Sequence, residues 1–125
     1  GPRQIKLGDM ATVIGIFEDQ FKKNKPLTVV KPGSQKRDFT HINDIVRGCY
    51  LAWKKGKQKE YMLGTKKTYT ILQIAKMFGG KIKFLPQRPG DRFGSTMINN
   101  NAQKILGYYA KESIKNYIKN IVSNK

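Results

Sequence analysis

Apolar residues recur at helical spacing in several parts of the chain, and short runs of β-branched residues lie between them. Residues 9–24 place apolar side chains on one face and charged ones on the other, which predicts an amphipathic helix with Asp9 as its N-cap. Residues 27–30 are a β-prone run bounded by prolines, a lysine and a glycine, and they predict a short strand. The chain thus begins with a helix followed by a strand.

The remaining residues continue this alternation. A second apolar stripe over residues 42–53 predicts a helix capped by Asn43 or Asp44, and Thr70 with Gln73 forms a capping-box pattern that opens a third helix. The other predicted elements are a strand at 61–63, a strand at 81–85, a loop at 86–94, a short helix after Asn99 or Asn100, and a last helix at 111–122. Helices alternating with short strands indicate an α/β or α+β domain.

Length and cysteine content narrow the class of protein. The chain has 125 residues, enough for one small domain with a modest core. It contains neither a run of eighteen apolar residues nor a signal-peptide pattern, so we predict a cytoplasmic location and no membrane partner. Cys49 is the single cysteine and lies on the second apolar stripe, which predicts an inert core thiol. One cysteine and one histidine are too few for a zinc site.

The net charge of +17 raises a second class of function. A strongly basic chain can bind nucleic acid or another polyanion, so a basic polyanion-binding module is an alternative interpretation. Most of the basic residues, however, are lysines dispersed through the chain, without the clustered arginines and interleaved aromatics of many nucleic-acid readers. Nucleic acid is therefore the weaker of the two expectations.

The segment 26–44 carries the clearest candidate chemistry. It combines the predicted strand, a turn at Gly33 and a single arginine, Arg37, before the second helix. A guanidinium beside such a turn can bind an oxyanion through two hydrogen bonds, and strand backbone can contact a planar base. Pairing of Arg37 with Asp38 or another carboxylate is the alternative on spacing alone.

Four motifs in order resemble one enzyme family. They are GPRQ at 1–4, PLTVV at 26–30 with G-x-Q-x-R-D-F-T-H-I-x-D-I-V at 33–46, YMLG at 61–64 and RPGD at 88–91. Together they resemble the C-terminal part of UDP-glucose 4-epimerase and its relatives, the NAD-dependent epimerases/dehydratases of the extended short-chain dehydrogenase family.

The resemblance implies an α/β fold and a particular division of the chain. Residues 1–125 would be a single C-terminal, sugar-nucleotide-binding portion of a Rossmann-type enzyme. Residues 39–64 would supply one helix and one edge strand to a missing N-terminal nucleotide-binding domain and would pack on it. Without that domain the second helix would expose an apolar face, which predicts self-association into a homo-oligomer.

The resemblance also implies a set of substrate-binding residues. Arg37 and Arg88 match the arginines that hold the nucleotide diphosphate, and Asp91 matches an acidic residue near the ribose, with a salt bridge to Arg92 as its alternative. The remaining matches are Leu27 and Val30 on the strand beside the base, Phe39 as a stacking or core aromatic, and Thr12 near the phosphates. His41 is expected to be structural.

Cofactor and catalytic motifs of the family are expected elsewhere. The sequence contains no G-x-G-x-x-G or related glycine fingerprint, which a bound dinucleotide requires. Tyr50 and Lys54 have the Y-x-x-x-K spacing, but they follow the R-D-F segment, whereas the family's catalytic pair precedes G-P-R-Q. We therefore assign no catalytic residue, expect NAD only in the full-length enzyme, and predict that this chain alone is inactive.

The same motifs imply a UDP-sugar as partner and UDP-glucose/UDP-galactose 4-epimerisation as the best single prediction for the complete enzyme. Dehydratases and reductases of the family share these motifs. A dTDP-, GDP- or ADP-linked sugar is an alternative substrate.

Overall fold

The computed structural model describes residues 1–94 and 99–125 and contains five helices and four strands within them. In chain order these are α1 (Val13–Lys22), β1 (Leu27–Val30), β2 (Lys36–Asp38), α2 (Ile42–Lys55), β3 (Thr68–Thr70), α3 (Ile71–Phe78), β4 (Ile82–Leu85), α4 (Asn101–Leu106) and α5 (Ile114–Ser123). None of the described helices is long and apolar enough to span a bilayer.

A parallel pair of strands forms the centre of the molecule. β1 and β4 run side by side with Leu27 opposite Ile82 and Val30 opposite Leu85. Helices α1 and α3 pack on this pair and α5 packs on α3, each through an apolar face. The resulting core contains Ile14, Phe17, Leu27, Val29, Ile74, Ala75, Phe78 and Ile118.

A second, smaller cluster lies where α2 meets α4. Ala102, Leu106 and Tyr108 are buried there against the partly buried side chains of Leu51, Ala52, Tyr61, Leu63 and Ile105. Gly48 permits a close approach, since a Cβ at this position would lie 2.6 Å from the Leu63 side chain. This cluster attaches α2 to the C-terminal part of the same chain.

Local sequence explains where the best-defined helix begins and ends. The hydroxyl of Thr70 accepts a hydrogen bond from the backbone N–H of Gln73, and the Gln73 side chain accepts one from the Thr70 N–H, so that the predicted capping box is present at the start of α3. Gly79 ends the helix in the left-handed conformation, with φ of 74°.

Several predicted boundaries differ from the structure. α1 begins at Val13 and not near Asp9, because Thr12 is the N-cap and its hydroxyl accepts a hydrogen bond from the Gly15 N–H. The N-cap of α2 is His41, whose Nδ1 accepts a hydrogen bond from the Asn43 N–H. The antiparallel pair of β2 and β3 was not predicted, since its three-residue strands carry no alternating pattern.

The predicted fold class requires a correction. The described residues form an α/β arrangement with parallel strands, but residues 61–63, expected to be an edge strand of a missing domain, form no strand. Helix α2, which that prediction assigns to the other domain, packs against α4 of the same chain, so the division into a C-terminal sugar-nucleotide portion plus one helix and one edge strand of another domain is wrong.

The outward face of α2 also differs from the predicted core packing. Cys49 is exposed, so the prediction of a core thiol is wrong. Tyr50 and Trp53 are 54% and 79% exposed, because the opposite face of the helix, with Asp44 and Gly48, packs on the rest of the chain.

Candidate functional site

Four of the seven predicted ligand-binding residues line a single cavity. It has a volume of about 250 Å³, just below the roughly 300–1,000 Å³ typical of small-ligand pockets. Val30 lies on its wall at the end of β1, and Arg37, Arg88 and Asp91 provide charged groups at its margin. The apolar part of the lining comes from Val13, Ile16, Phe17, Ile71 and Leu85. We call this space the β1 cavity.

The β1 cavity is built by elements that are far apart in sequence. Parallel pairing brings the ends of β1 and β4 together, so that the loop 86–94 after β4 lies beside the turn that follows β1. The N–H of Lys36 donates a hydrogen bond to the carbonyl of Phe93, which fastens this loop to β2. Arg88 and Asp91, which belong to this loop, therefore lie beside β2, the strand that contains Arg37.

Arg37 contacts this loop directly. One of its Nη1 hydrogen bonds goes to the carbonyl of Arg92 at 2.6 Å and another to the carbonyl of Lys36 at 2.8 Å. Its Nη2 lies 4.0 Å from Oδ1 of Asp91. Asp91 thus pairs across the cavity with Arg37, as one of the two alternative interpretations of Arg37 anticipated, and its other oxygen accepts a hydrogen bond from Gln35.

The other three predicted residues lie elsewhere. Leu27 is fully buried in the main core. Thr12 caps α1 and donates a hydrogen bond to the side chain of Gln4, and it lines a separate cavity with Phe39 and His41. Phe39 also lines another cavity, which contains Lys67, Lys111 and Lys115. The structure therefore does not bring these residues to the β1 cavity.

Sequence reasoning missed one buried polar residue of the β1 cavity. Gln35 is 3% exposed and its side-chain Nε2 contacts Asp91 and the carbonyls at the end of β1. The available signal was a glutamine in the turn between the strand and Arg37. Nothing in the apolar pattern indicates that such a residue is buried.

The described residues do not fit the pyrophosphate of a dinucleotide. That group needs a glycine-rich turn leading from a strand into a helix, where free N–H groups converge. Of the described strands, β2 and β3 lead into helices, but residues 39–41 between β2 and α2 contain no glycine, and α3 follows β3 directly at the Thr70 cap. β1 leads through the Gly33 turn into β2, and β4 leads into the loop 86–94.

Comparison with known proteins gives the family. Residues 1–64 match the NAD dependent epimerase/dehydratase family, which is just over half of the chain. The chain belongs to this family. Members of the family use NAD.

Individual relatives agree with this assignment. The chain is 32% identical over 111 residues to an uncharacterised protein of Methanocaldococcus jannaschii, covering 80% of this chain and 34% of that protein. It is 27% identical over 121 residues to UDP-glucuronic acid decarboxylase 4 of Arabidopsis thaliana, covering 92% and 27%. Among solved structures, UDP-glucose 4-epimerase of Thermotoga maritima with UDP-glucose superposes with a TM-score of 0.89 at 28% identity, over 98% of this chain and 41% of that one.

These comparisons correct the predicted placement within the family. The match at residues 1–64 is assigned to the N-terminal, NAD-binding region, and the solved structures are matched over about 40% of their length. This contradicts the prediction of a C-terminal part closest to UDP-glucose 4-epimerase. It also contradicts the predicted fold class, because the findings support an α/β, Rossmann-like fragment with parallel strands that matches the N-terminal nucleotide-binding portion. The chain spans about a third or less of the length of the curated relatives described above.

Proposed function

We propose that this chain binds the nucleoside diphosphate group of a nucleotide-sugar in the β1 cavity. The observation that supports the proposal is the convergence of Val30, Arg37, Arg88 and Asp91 on one cavity from separate parts of the sequence. In this proposal Val30 contacts the base, the two arginines hold the phosphates, and Asp91 accepts hydrogen bonds from the ribose hydroxyls. A UDP-sugar is the proposed ligand.

The chemistry of the cavity supports this assignment. Its apolar wall suits the face of a planar base, and its margin offers two guanidinium groups, which bind phosphate oxygens through paired hydrogen bonds. Arg37 is held near the cavity by two backbone carbonyls, so less conformational freedom is lost when a phosphate binds. Binding of a diphosphate would replace the weak pairing of Arg37 with Asp91 at 4.0 Å.

The reaction of a complete enzyme is part of the same proposal. UDP-glucose/UDP-galactose 4-epimerisation is the reaction we propose, supported by the likeness to a UDP-glucose 4-epimerase over 98% of this chain. We propose that NAD is held by residues other than these, since the glycine fingerprint is absent from the sequence. By itself the chain would then bind a nucleotide-sugar without converting it, in the cytoplasm.

Calorimetric titration of the chain with UDP tests the proposal. We expect binding that persists from low to moderate salt and that falls about 10- to 100-fold in Arg37→Ala and in Arg88→Ala, because each arginine supplies charge-assisted hydrogen bonds worth about 1.5–3 kcal/mol. Lys104→Ala is the matched control, since Lys104 is an exposed cation on α4 outside the cavity lining. Equal binding by all four proteins would contradict the proposal.

A polyanion-binding role is the second candidate, and a specific surface favours it. Lys67, Lys111 and Lys115 line one cavity of about 250 Å³ next to Phe39. The same calorimetric experiment with a short single-stranded oligonucleotide separates the two roles. Binding through many lysines weakens steeply with salt, whereas binding to a cavity with two arginines loses less.

A further inference from the structure

Gln35 connects the two sides of the β1 cavity. Its Nε2 donates a hydrogen bond to Oδ2 of Asp91 at 2.9 Å and lies 3.3 Å from the carbonyl oxygens of both Val30 and Lys31. Val30 is the last residue of β1 and Lys31 follows it, whereas Asp91 lies on the loop after β4. One buried amide thus joins the strand proposed to contact the base with the carboxylate proposed to contact the ribose.

The chemistry of the neighbours fixes the orientation of this amide. All three oxygens around Nε2 can only accept hydrogen bonds, since two are carbonyls and one belongs to a carboxylate. The NH₂ group must therefore face them, and the carbonyl end, Oε1, points the other way and has no partner among the described residues. A glutamate or an apolar residue cannot make the same contacts at neutral pH.

The backbone around Gln35 holds the side chain in this position. The carbonyl of Gln35 accepts a hydrogen bond from the N–H of Ile71 at 3.0 Å, and the carbonyl of Gly33 accepts one from the N–H of Leu72 at 2.9 Å. The turn is thus fastened to the first residues of α3. Gly33 has φ of 80°, which favours glycine, and a Cβ there would lie 3.0 Å from the Val29 side chain.

We infer that Gln35 is a positioning residue that orients the carboxylate of Asp91 and the end of β1 for the nucleoside. The inference rests on the proposed function. A donor on Oδ2 directs Oδ1 of Asp91 away from Gln35, where it can accept a hydrogen bond from a ribose hydroxyl. Because the donor is neutral, it holds Asp91 without cancelling its charge. Oδ1 lies 4.0 Å from Nη2 of Arg37, and a diphosphate that binds Arg37 would leave this oxygen to the ribose.

A double-mutant cycle on UDP binding tests whether Gln35 acts through Asp91. Gln35→Met keeps the length of the side chain and removes the donor, and we expect it to weaken UDP binding about tenfold. In an Asp91→Ala background the same change should cost about twofold or less, because the group that Gln35 orients is already gone. Gln103→Met is the control, since Gln103 lies on α4 outside the cavity lining.

A second variant covers the case in which Gln35→Met fails to fold. Gln35→Glu places an acceptor beside Asp91 at pH 7.5, but once protonated near pH 5 it regains an O–H donor. The affinity of this variant for UDP, divided by that of the unchanged chain at the same pH, should rise at least about threefold between these pH values. Circular dichroism spectra of this variant that are the same at both pH values show that the rise does not come from refolding on protonation.

The outcomes distinguish this inference from the proposed function. If the unchanged chain does not bind UDP, the proposed function fails and the role of Gln35 fails with it. If Arg37→Ala loses binding but Gln35→Met costs the same in both backgrounds, or Gln35→Glu keeps a constant ratio, only the positioning role is overturned. Loss confined to the background that retains Asp91 supports it.

Discussion

Asp44 is the buried charge on which the packing of α2 depends most. Its side chain is 1% exposed and accepts hydrogen bonds from the backbone N–H groups of Lys111 and Glu112, at 2.9–3.1 Å, and from Arg47 at 2.7 Å. Arg47 also donates to the carbonyl of Tyr109. One carboxylate thereby ties the start of α2 to the segment before α5, which lies more than sixty residues later in the chain.

Asp44→Asn should destabilise the fold strongly. The substitution removes the charge opposite Arg47 and leaves backbone donors without a carboxylate, so we expect a loss of about 3 kcal/mol in the free energy of unfolding and a fall of about 10 °C in melting temperature. Thermal unfolding followed by circular dichroism measures this. Asp19→Asn is the control, because Asp19 makes only a helical surface pair with Lys23 and should change stability by less than about 0.5 kcal/mol. Equal melting temperatures for the two variants would refute the role of Asp44.

Asp38 likewise binds distant backbone groups, next to the antiparallel pair of β2 and β3. Its carboxylate accepts hydrogen bonds from the N–H and hydroxyl of Thr65, from the N–H of Lys66 and from the hydroxyl of Thr40. The aspartate of the R-D-F segment thus stabilises the turn at Thr65 and Lys66. Arg37, its neighbour, contacts Asp91 and the loop after β4 instead.

Helix α2 exposes an apolar face. Ile42, Val46, Tyr50 and Trp53 are between 49% and 79% exposed and recur at intervals of three or four residues, so they lie on one side of the helix. That residues 39–64 pack on a further nucleotide-binding domain stays a prediction, and this stripe is the surface of α2 that such a partner would cover. In a chain that lacks such a partner, a contiguous apolar stripe favours contact with a second copy.

We predict that this face causes self-association of the 125-residue chain. Val46→Glu combined with Trp53→Glu places charges on the stripe and should shift the protein from oligomers towards monomers, as measured by light scattering across a range of concentrations. Leu7→Glu is the control, since Leu7 is 68% exposed but lies outside α2. A monomer at all concentrations for the unchanged chain would contradict the prediction.

How far the sequence predicts these elements depends on the kind of signal each carries. The strand at 27–30 and the capping box of Thr70 with Gln73 are local signals, and both are found as predicted. The stripe on α2 was recognised as apolar, but a periodic pattern does not reveal which face is covered. In the described residues it is Asp44 and Gly48 that face inward, because a carboxylate with three donors can be buried and a glycine permits close packing.

Two buried carboxylates make the stability of the whole molecule depend on pH. Burial by itself would raise the pKa of Asp44 and of Glu18. Hydrogen bonds from Lys111, Glu112 and Arg47 outweigh this for Asp44, and Lys22 and Lys6 do so for Glu18, so that both pKa values lie below their ordinary range. Lowered values in the folded state mean that the unfolded chain binds protons first as the pH falls.

The stabilising effect of these groups should therefore be complete at neutral pH and decline on acidification. It is present above the unfolded pKa values of about 4 and is lost as the pH falls through the lower values of the folded state. Urea unfolding at several pH values tests this through the difference in free energy between the unchanged chain and Asp44→Asn. We expect that difference to shrink below about pH 4. A difference that grows on acidification would show the opposite sign of coupling.

The β1 cavity could be predicted only in part. The resemblance to the family predicts Arg37, Arg88 and Asp91 as ligand-binding residues. The parallel pairing of β1 with β4 explains why these residues lie close together. Thr12 and Leu27 were assigned by the same resemblance, but helix capping and core packing account for their positions. Gln35 was missed, because burial of a turn glutamine is set by contacts with residues far away in the chain.

The most direct test of nucleotide binding is a map of where UDP perturbs the chain, obtained from amide chemical shifts in a nuclear magnetic resonance titration. Binding in the β1 cavity predicts saturating shifts concentrated at Val30, Gln35, Arg37, Arg88 and Asp91, with little change around Lys67, Lys111 and Lys115. Shifts centred on those three lysines and abolished by moderate salt, or no saturating shifts at all, would contradict the proposed function.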